Sequence, residues 1–161
     1  MRKHLLWASA TLALVIAACG GSTPTSQATP TSSCANAGAA HHAYVVAQHM
    51  SGATLQKCVG FAGDTINGQA LMDQSGIEYQ AQTTSLGKAV CQVDHEPAQF
   101  STCFPQNQPY WALFIEAGGA WTMAPSGLND LVLHDKEAIG WHYVRYDPKS
   151  DPSPPPLANQ S

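Results

Sequence analysis

The side chains that could do chemistry in this sequence are histidines and aromatic rings. His41 and His42 are adjacent, and His49 follows seven residues later. Neutral imidazoles hold zinc or copper when they converge with one another or with carboxylates. The plainer reading makes these three exposed histidines at the entrance to a strand. His134, Asp135 and Glu137 read as a solvated polar turn, and His142 lies between Trp141 and Tyr143 on an alternating strand, sharing neither neighbour's face. Aromatic residues carry the stronger signal: Tyr110, Trp111, Phe114, Trp121, Trp141, Tyr143 and Tyr146 crowd one stretch of the chain. On adjacent strands such residues stack across the sheet. Phe114 and Trp121 are assigned to the core. Because Trp is seldom hidden completely, Trp141 or Trp111 is expected to line a groove. An aromatic surface with few charges suits a flat or conjugated ligand, a sugar or another protein.

The elements that must position these residues are short strands. Residues 43–50 and 54–62 read as a β-hairpin around Ser51-Gly52-Ala53. A helix is expected over 68–75, with Asn67 as N-cap, Ile66 stapled to Leu71, and Gly76 supplying the left-handed residue that ends it. Ile77 can then fold back on Met72. Residues 78–84 and 88–94 flank the turn signal Ser85-Leu86-Gly87. Residues 110–117 and 120–123 flank Gly118-Gly119, a strong two-residue hairpin signal. Residues 131–133 and 138–146 complete the set. The order is α+β, one short helix on a β-grasp-like mixed sheet, with an all-β sandwich as the competitor.

Composition excludes several classes. Charged residues make up only 11% of the chain, too few for a coiled coil, and the formal net charge of -4 opposes phosphate binding, so no nucleic-acid partner is expected. There is no G-x-S-x-G, H-E-x-x-H, G-x-G-x-x-G, Walker A or EF-hand loop, and the reading is non-enzymatic.

The N-terminus reads as an address. Arg2, Lys3 and His4 precede a mostly apolar run over residues 5–18, too short to span the roughly 30 Å hydrocarbon core but suited to a signal peptide. Its end, Ile16-Ala17-Ala18-Cys19-Gly20, resembles the bacterial lipoprotein lipobox, which implies a diacylglycerol on Cys19 and attachment to the outer side of a bacterial cell membrane. Residues 19–42 then form the lipidated Cys19 and a flexible tether, and the Pro-rich residues 147–161 read as a disordered tail. Of the other four cysteines, Cys91 and Cys103 pair across a short polar loop, and Cys34 with Cys58 follows by elimination. Closing a loop of about a dozen residues stabilises by roughly 3 kcal/mol in the chain-entropy picture.

Phe61, Ile66-Asn67-Gly68-Gln69-Ala70-Leu71, Ser75-Gly76-Ile77, Tyr110-Trp111-Ala112-Leu113-Phe114, Gly119-Ala120-Trp121 and Gly140-Trp141-His142-Tyr143 are spaced as in a known family. Over residues 43–146 the chain resembles the transcobalamin-like C-terminal domains of exported bacterial proteins. The resemblance implies a β-grasp-like fold, non-enzymatic ligand binding, and Trp111, Trp121, Trp141 and Tyr143 as the positions facing a ligand. In cobalamin carriers such a domain covers one side of the corrinoid while a helical domain holds the other; no helical domain is read here. Three functions follow in order: a lipid-anchored module binding a small flat, cobalamin-like ligand; a surface module docking a protein; and a metal binder using His41, His42 and His49.

Overall fold

The computed structural model describes residues 34–85 and 87–160; the leader, Cys19 and the tether up to residue 33 lie outside them. Strands β1 (His41–Gln48) and β2 (Thr54–Phe61) form the first hairpin, in register from His41↔Phe61 to Gln48↔Thr54. Gly52 at φ 87° takes the left-handed turn position that a side chain would resist. A two-residue strand, β3 (Ile66–Asn67), leads into helix α1 (Gly68–Ser75). Asn67 Oδ1 accepts from the Gln69 and Ala70 amides at 2.9 and 3.3 Å, and Gly76 at φ 72° ends the helix. Both caps stand where the sequence places them, and the helix that a sandwich would have dissolved is present.

Strands β4 (Tyr79–Thr84) and β5 (Gly87–Val93) form a separate two-stranded sheet. Next comes the hairpin of β6 (Tyr110–Ala117) and β7 (Ala120–Met123), turned by Gly118 and Gly119 at φ 63° and 82°. Buried Glu116 braces that turn, its Oε1 accepting from the Gly119 amide at 3.0 Å. A 3-10 turn (Leu128–Asp130), β8 (Val132–Leu133) and β9 (Ala138–Val144) complete the chain of elements. The two short strands β3 and β8 pair with each other.

The main sheet has the order β2-β1-β9-β6-β7, and β1 runs parallel to β9 while the other pairs are antiparallel. The described residues are therefore α+β, with a mixed sheet and one short α-helix. One sheet face carries the main core. Val45, Val59, Trp111, Ile139 and Trp141 meet Leu71 and Met72 of α1 and Val90 and Val93 of β5 there. Among the described residues no helix is long and apolar enough to cross a membrane.

Two boundary expectations change. Residues 34–42, assigned to the tether, belong to the fold: Cys34 is bonded to Cys58, and the Ala35 amide donates to Cys58 O at 2.9 Å. The second bridge, Cys91–Cys103, is also the expected one, and two disulfides suit an extracellular protein. The C-terminal residues, expected to be a solvated tail, instead lie on the sheet's second face. Asn159 exchanges two hydrogen bonds with the Gln56 side chain at 2.6 and 2.9 Å, and Gln160 Nε2 donates to Lys136 O at 2.8 Å. Buried Pro155 and the Trp121 indole both pack on Gly140, where a Cβ would come within 2.8 Å of each. Proline was read as a sign of disorder, but a proline-rich segment loses little entropy on docking and presents a rigid apolar ridge. Gly140→Ala is therefore expected to lower stability by about 1–3 kcal/mol and to open the 147–160 segment to protease. Unchanged stability and protease resistance would show that the segment does not rest on Gly140.

Candidate functional site

Strand alternation decides which aromatic residues can act together. Trp111 and Leu113 of β6 point to the main-core face, as do Trp141 and Tyr143 of β9, with Trp111 opposite Tyr143 and Leu113 opposite Trp141. Trp111 and Tyr143 pack ring on ring, with centroids 5.1 Å apart. The Gly-Gly turn sets Trp121 opposite Glu116, which shares the face of Phe114 and Ala112. Trp121 thus sits on the other side of the sheet, packed on Gly140. Three of the four expected ligand-facing residues stand together, and Trp121 does not. Its assignment to the core stands in part: it is half-buried, while Phe114 is buried.

Neither Trp111 nor Trp141 is exposed; each keeps 2% of its surface. They instead form inner walls of a cavity of about 280 Å³ between β5, β6, β9 and the segment after β7. Lys88 and Val90 line it from β5, Leu113 from β6, and Ala124 from the segment after β7. Its mouth carries two large exposed apolar side chains, Phe104 at 57% and Met123 at 51%. Phe104 follows Cys103, so the Cys91–Cys103 bridge holds it near Tyr110, edge to face at 6.1 Å. Tyr110 and Tyr143 also border the neighbouring grooves along residues 97–109 and 147–153. Burial foremost raises the pKa of both phenols, with the negative charges of Asp151 at Tyr110 and Glu96 at Tyr143 adding to it. Both hydroxyls are therefore neutral donors at physiological pH.

The wall made by Trp111 is fixed from behind. Trp111 Nε1 donates to Glu96 O at 2.7 Å, and the Glu96 carboxylate in turn meets His49 Nδ1 at 2.7 Å and the Met50 amide at 3.3 Å. His49 Nε2 faces Asp94 Oδ2 at 3.3 Å, and the imidazole lies edge-on to Trp111. The two carboxylates meet opposite ring nitrogens of one imidazole, a geometry that clamps the ring rather than gathering ligands around one ion. His41 and His42 are at the far end of β1, where an extended strand separates them from His49 by roughly 20 Å. They do not converge with it. Among the described residues no group of three His, Cys, Asp or Glu side chains is placed to hold a metal ion. His142 takes the opposite face from its aromatic neighbours, its Nδ1 2.7 Å from Ser153 O. The turn at 134–137 closes on itself, with the His134 amide donating to Glu137 Oε2 at 2.8 Å.

Lys88, Phe104, Met123 and Ala124 were not singled out from the sequence. A signal existed for Phe104, a large apolar residue beside a disulfide cysteine in a polar loop. For Trp121 the Gly-Gly register alone places it opposite Glu116, away from Trp111.

No protein-family model matches the chain, and no curated protein does. Among solved structures, a Ruminococcus gnavus protein described as "a putative metal binding protein" is similar at 17% identity and a TM-score of 0.49. The match covers 66% of this chain and 99% of that one.

The tryptophans differ in one respect that stability can read. Trp141 Nε1 and Trp121 Nε1 are buried without a hydrogen-bond partner among the described residues, whereas Trp111 Nε1 is bonded to Glu96 O. Trp111→Phe removes a made bond, although the Glu96 carbonyl keeps the Val93 amide at 3.0 Å; Trp141→Phe removes an unmet donor. Urea unfolding is expected to show Trp111→Phe the more destabilising by about 1–2 kcal/mol. Equal costs would mean that the bond to Glu96 does not form.

Proposed function

We propose that this protein is a lipid-anchored, extracytoplasmic, non-enzymatic module that binds a small flat ligand in the cavity walled by Trp111 and Trp141. The observation that carries the reading is the cavity itself: apolar walls, an aromatic-and-methionine mouth and a volume of about 280 Å³. Exposed Phe104 and Met123 cost solvation in the empty protein, and a ligand covering them would recover it. The volume stands at the low end for small-molecule sites, roughly 300–1,000 Å³, and supports one or two fused rings. A corrinoid would enter only by an edge. The sheet order, with its first and last strands parallel at the centre, supports the β-grasp-like assignment and with it the transcobalamin-like resemblance. Two of the residues the resemblance points to, Trp111 and Trp141, line this cavity, while Tyr143 borders the neighbouring grooves.

Anchorage rests on Cys19 and its preceding small residues. A lipidated Cys19 would hold the acidic chain at a membrane that its charge alone would not favour. Cys19→Ser is expected to abolish incorporation of labelled palmitate and to shift the protein out of the membrane fraction. Retained labelling would place the lipid on a residue other than Cys19.

Ala124 is half-buried at the cavity, so a larger side chain there can fill the space without invading the deeper core. Ala124→Phe is expected to weaken binding of a naphthalene probe at least tenfold while the melting temperature moves by only a few degrees. Undiminished binding by the filled variant would locate the ligand outside this cavity.

A further inference from the structure

Among the described residues that line the proposed ligand cavity there is a single cation, and no ion pair occupies it. Lys88 is the one charged side chain among the cavity's lining residues, the others being apolar, aromatic, hydroxyl-bearing or glycine. Alternation along β5 puts Lys88 on the side of Val90, which packs into the main core, and opposite to Ala89, which packs by the Cys91–Cys103 bridge. Lys88 is half-buried. Among the described residues no carboxylate lies within ion-pair distance of its ammonium; every ion pair there involves a histidine. Asp130 comes close to Gly87, yet its carboxylate accepts from Asn129 Nδ2 at 2.8 Å and makes no pair with Lys88.

The other lysines among the described residues make no ion pair either; what sets Lys88 apart is its place at the apolar cavity. An anion seated in the adjoining apolar space would give the Lys88 ammonium a partner at the edge of a medium where charge-assisted hydrogen bonds are strong. No Asp or Glu is among the described residues that line the cavity, Asp130 standing behind Gly87.

We propose that the ligand is an aromatic carboxylate of one or two rings, its ring between the Trp111 and Trp141 walls and its carboxylate on Lys88 at the rim. This deepens the binding reading given above and rests on it. The chemistry that recognises the ligand is then twofold: ring area sets whether a molecule enters, and the anionic group sets which molecules are held.

The test pairs two probes of one shape, 2-naphthoate and 2-naphthamide, titrated calorimetrically into the purified protein and its Lys88→Met variant. Methionine keeps the stem's length and apolar contact while deleting the charge. The expected result is naphthoate bound at least tenfold tighter than naphthamide, with that preference lost in Lys88→Met and the naphthamide affinity changed by less than twofold. The naphthoate affinity should also fall as salt rises, while the naphthamide affinity holds. Equal binding of both probes by the wild type overturns the carboxylate assignment and leaves the cavity reading standing. A naphthoate preference that survives Lys88→Met overturns the role of Lys88. Binding of neither probe by folded protein overturns the cavity reading, and this inference with it.

Discussion

The fold depends on one long-range constraint, the parallel pairing of β1 with β9. Tyr44 faces Ala138 and Gln48 faces His142, so strands from opposite ends of the folded unit form its centre. Parallel neighbours need a crossover rather than a hairpin. Everything between them, α1, the β4–β5 sheet, the disulfide loop and the β6–β7 hairpin, must be accommodated before the sheet can close. The helix and the small sheet both pack on the same face and bury it with Val45, Val59 and Ile139. That is why Trp111 and Trp141 lie inside.

The cavity is a consequence of the same arrangement. The β4–β5 sheet is not hydrogen-bonded into the main sheet, so β5 approaches β6 only through side chains. Where Val90, Leu113 and Ala124 are the fillers, their combined volume does not close the gap. The Cys91–Cys103 bridge then keeps the following loop near, setting Phe104 over the opening. Behind it, the chain Trp111–Glu96–His49 ties the wall to the end of the first hairpin. Packing makes the space, and hydrogen bonding makes one wall rigid.

What was legible in the sequence is what local chemistry decides. Asn67 and Gly76 bound the helix because a side-chain acceptor and a left-handed residue act within one turn. Gly118-Gly119 likewise places its hairpin to the residue, 110–117 and 120–123. The strand pairing across the sheet could not be read, since β1 and β9 carry no mutual mark beyond being apolar. The facing of Trp121 was readable from hairpin register yet was obscured by counting aromatic residues together. Tail docking was missed for a different reason: composition records that 147–161 has little to bury, while the decisive feature is a bare Gly140 that receives one proline. Lys88 was invisible because an unpaired charge has meaning only once its neighbours are known.

The central claim is that the ligand sits between β5 and β6 and touches the Trp111 and Trp141 walls. Nuclear magnetic resonance of the indole N–H groups, titrated with 2-naphthoate, tests this most directly. The account expects shifts at Trp111 and Trp141, with the backbone amides of 88–90 and 124–127, and none at Trp121 across the sheet. Shifts centred on Trp121, or no shift at any indole under saturating probe, would contradict it.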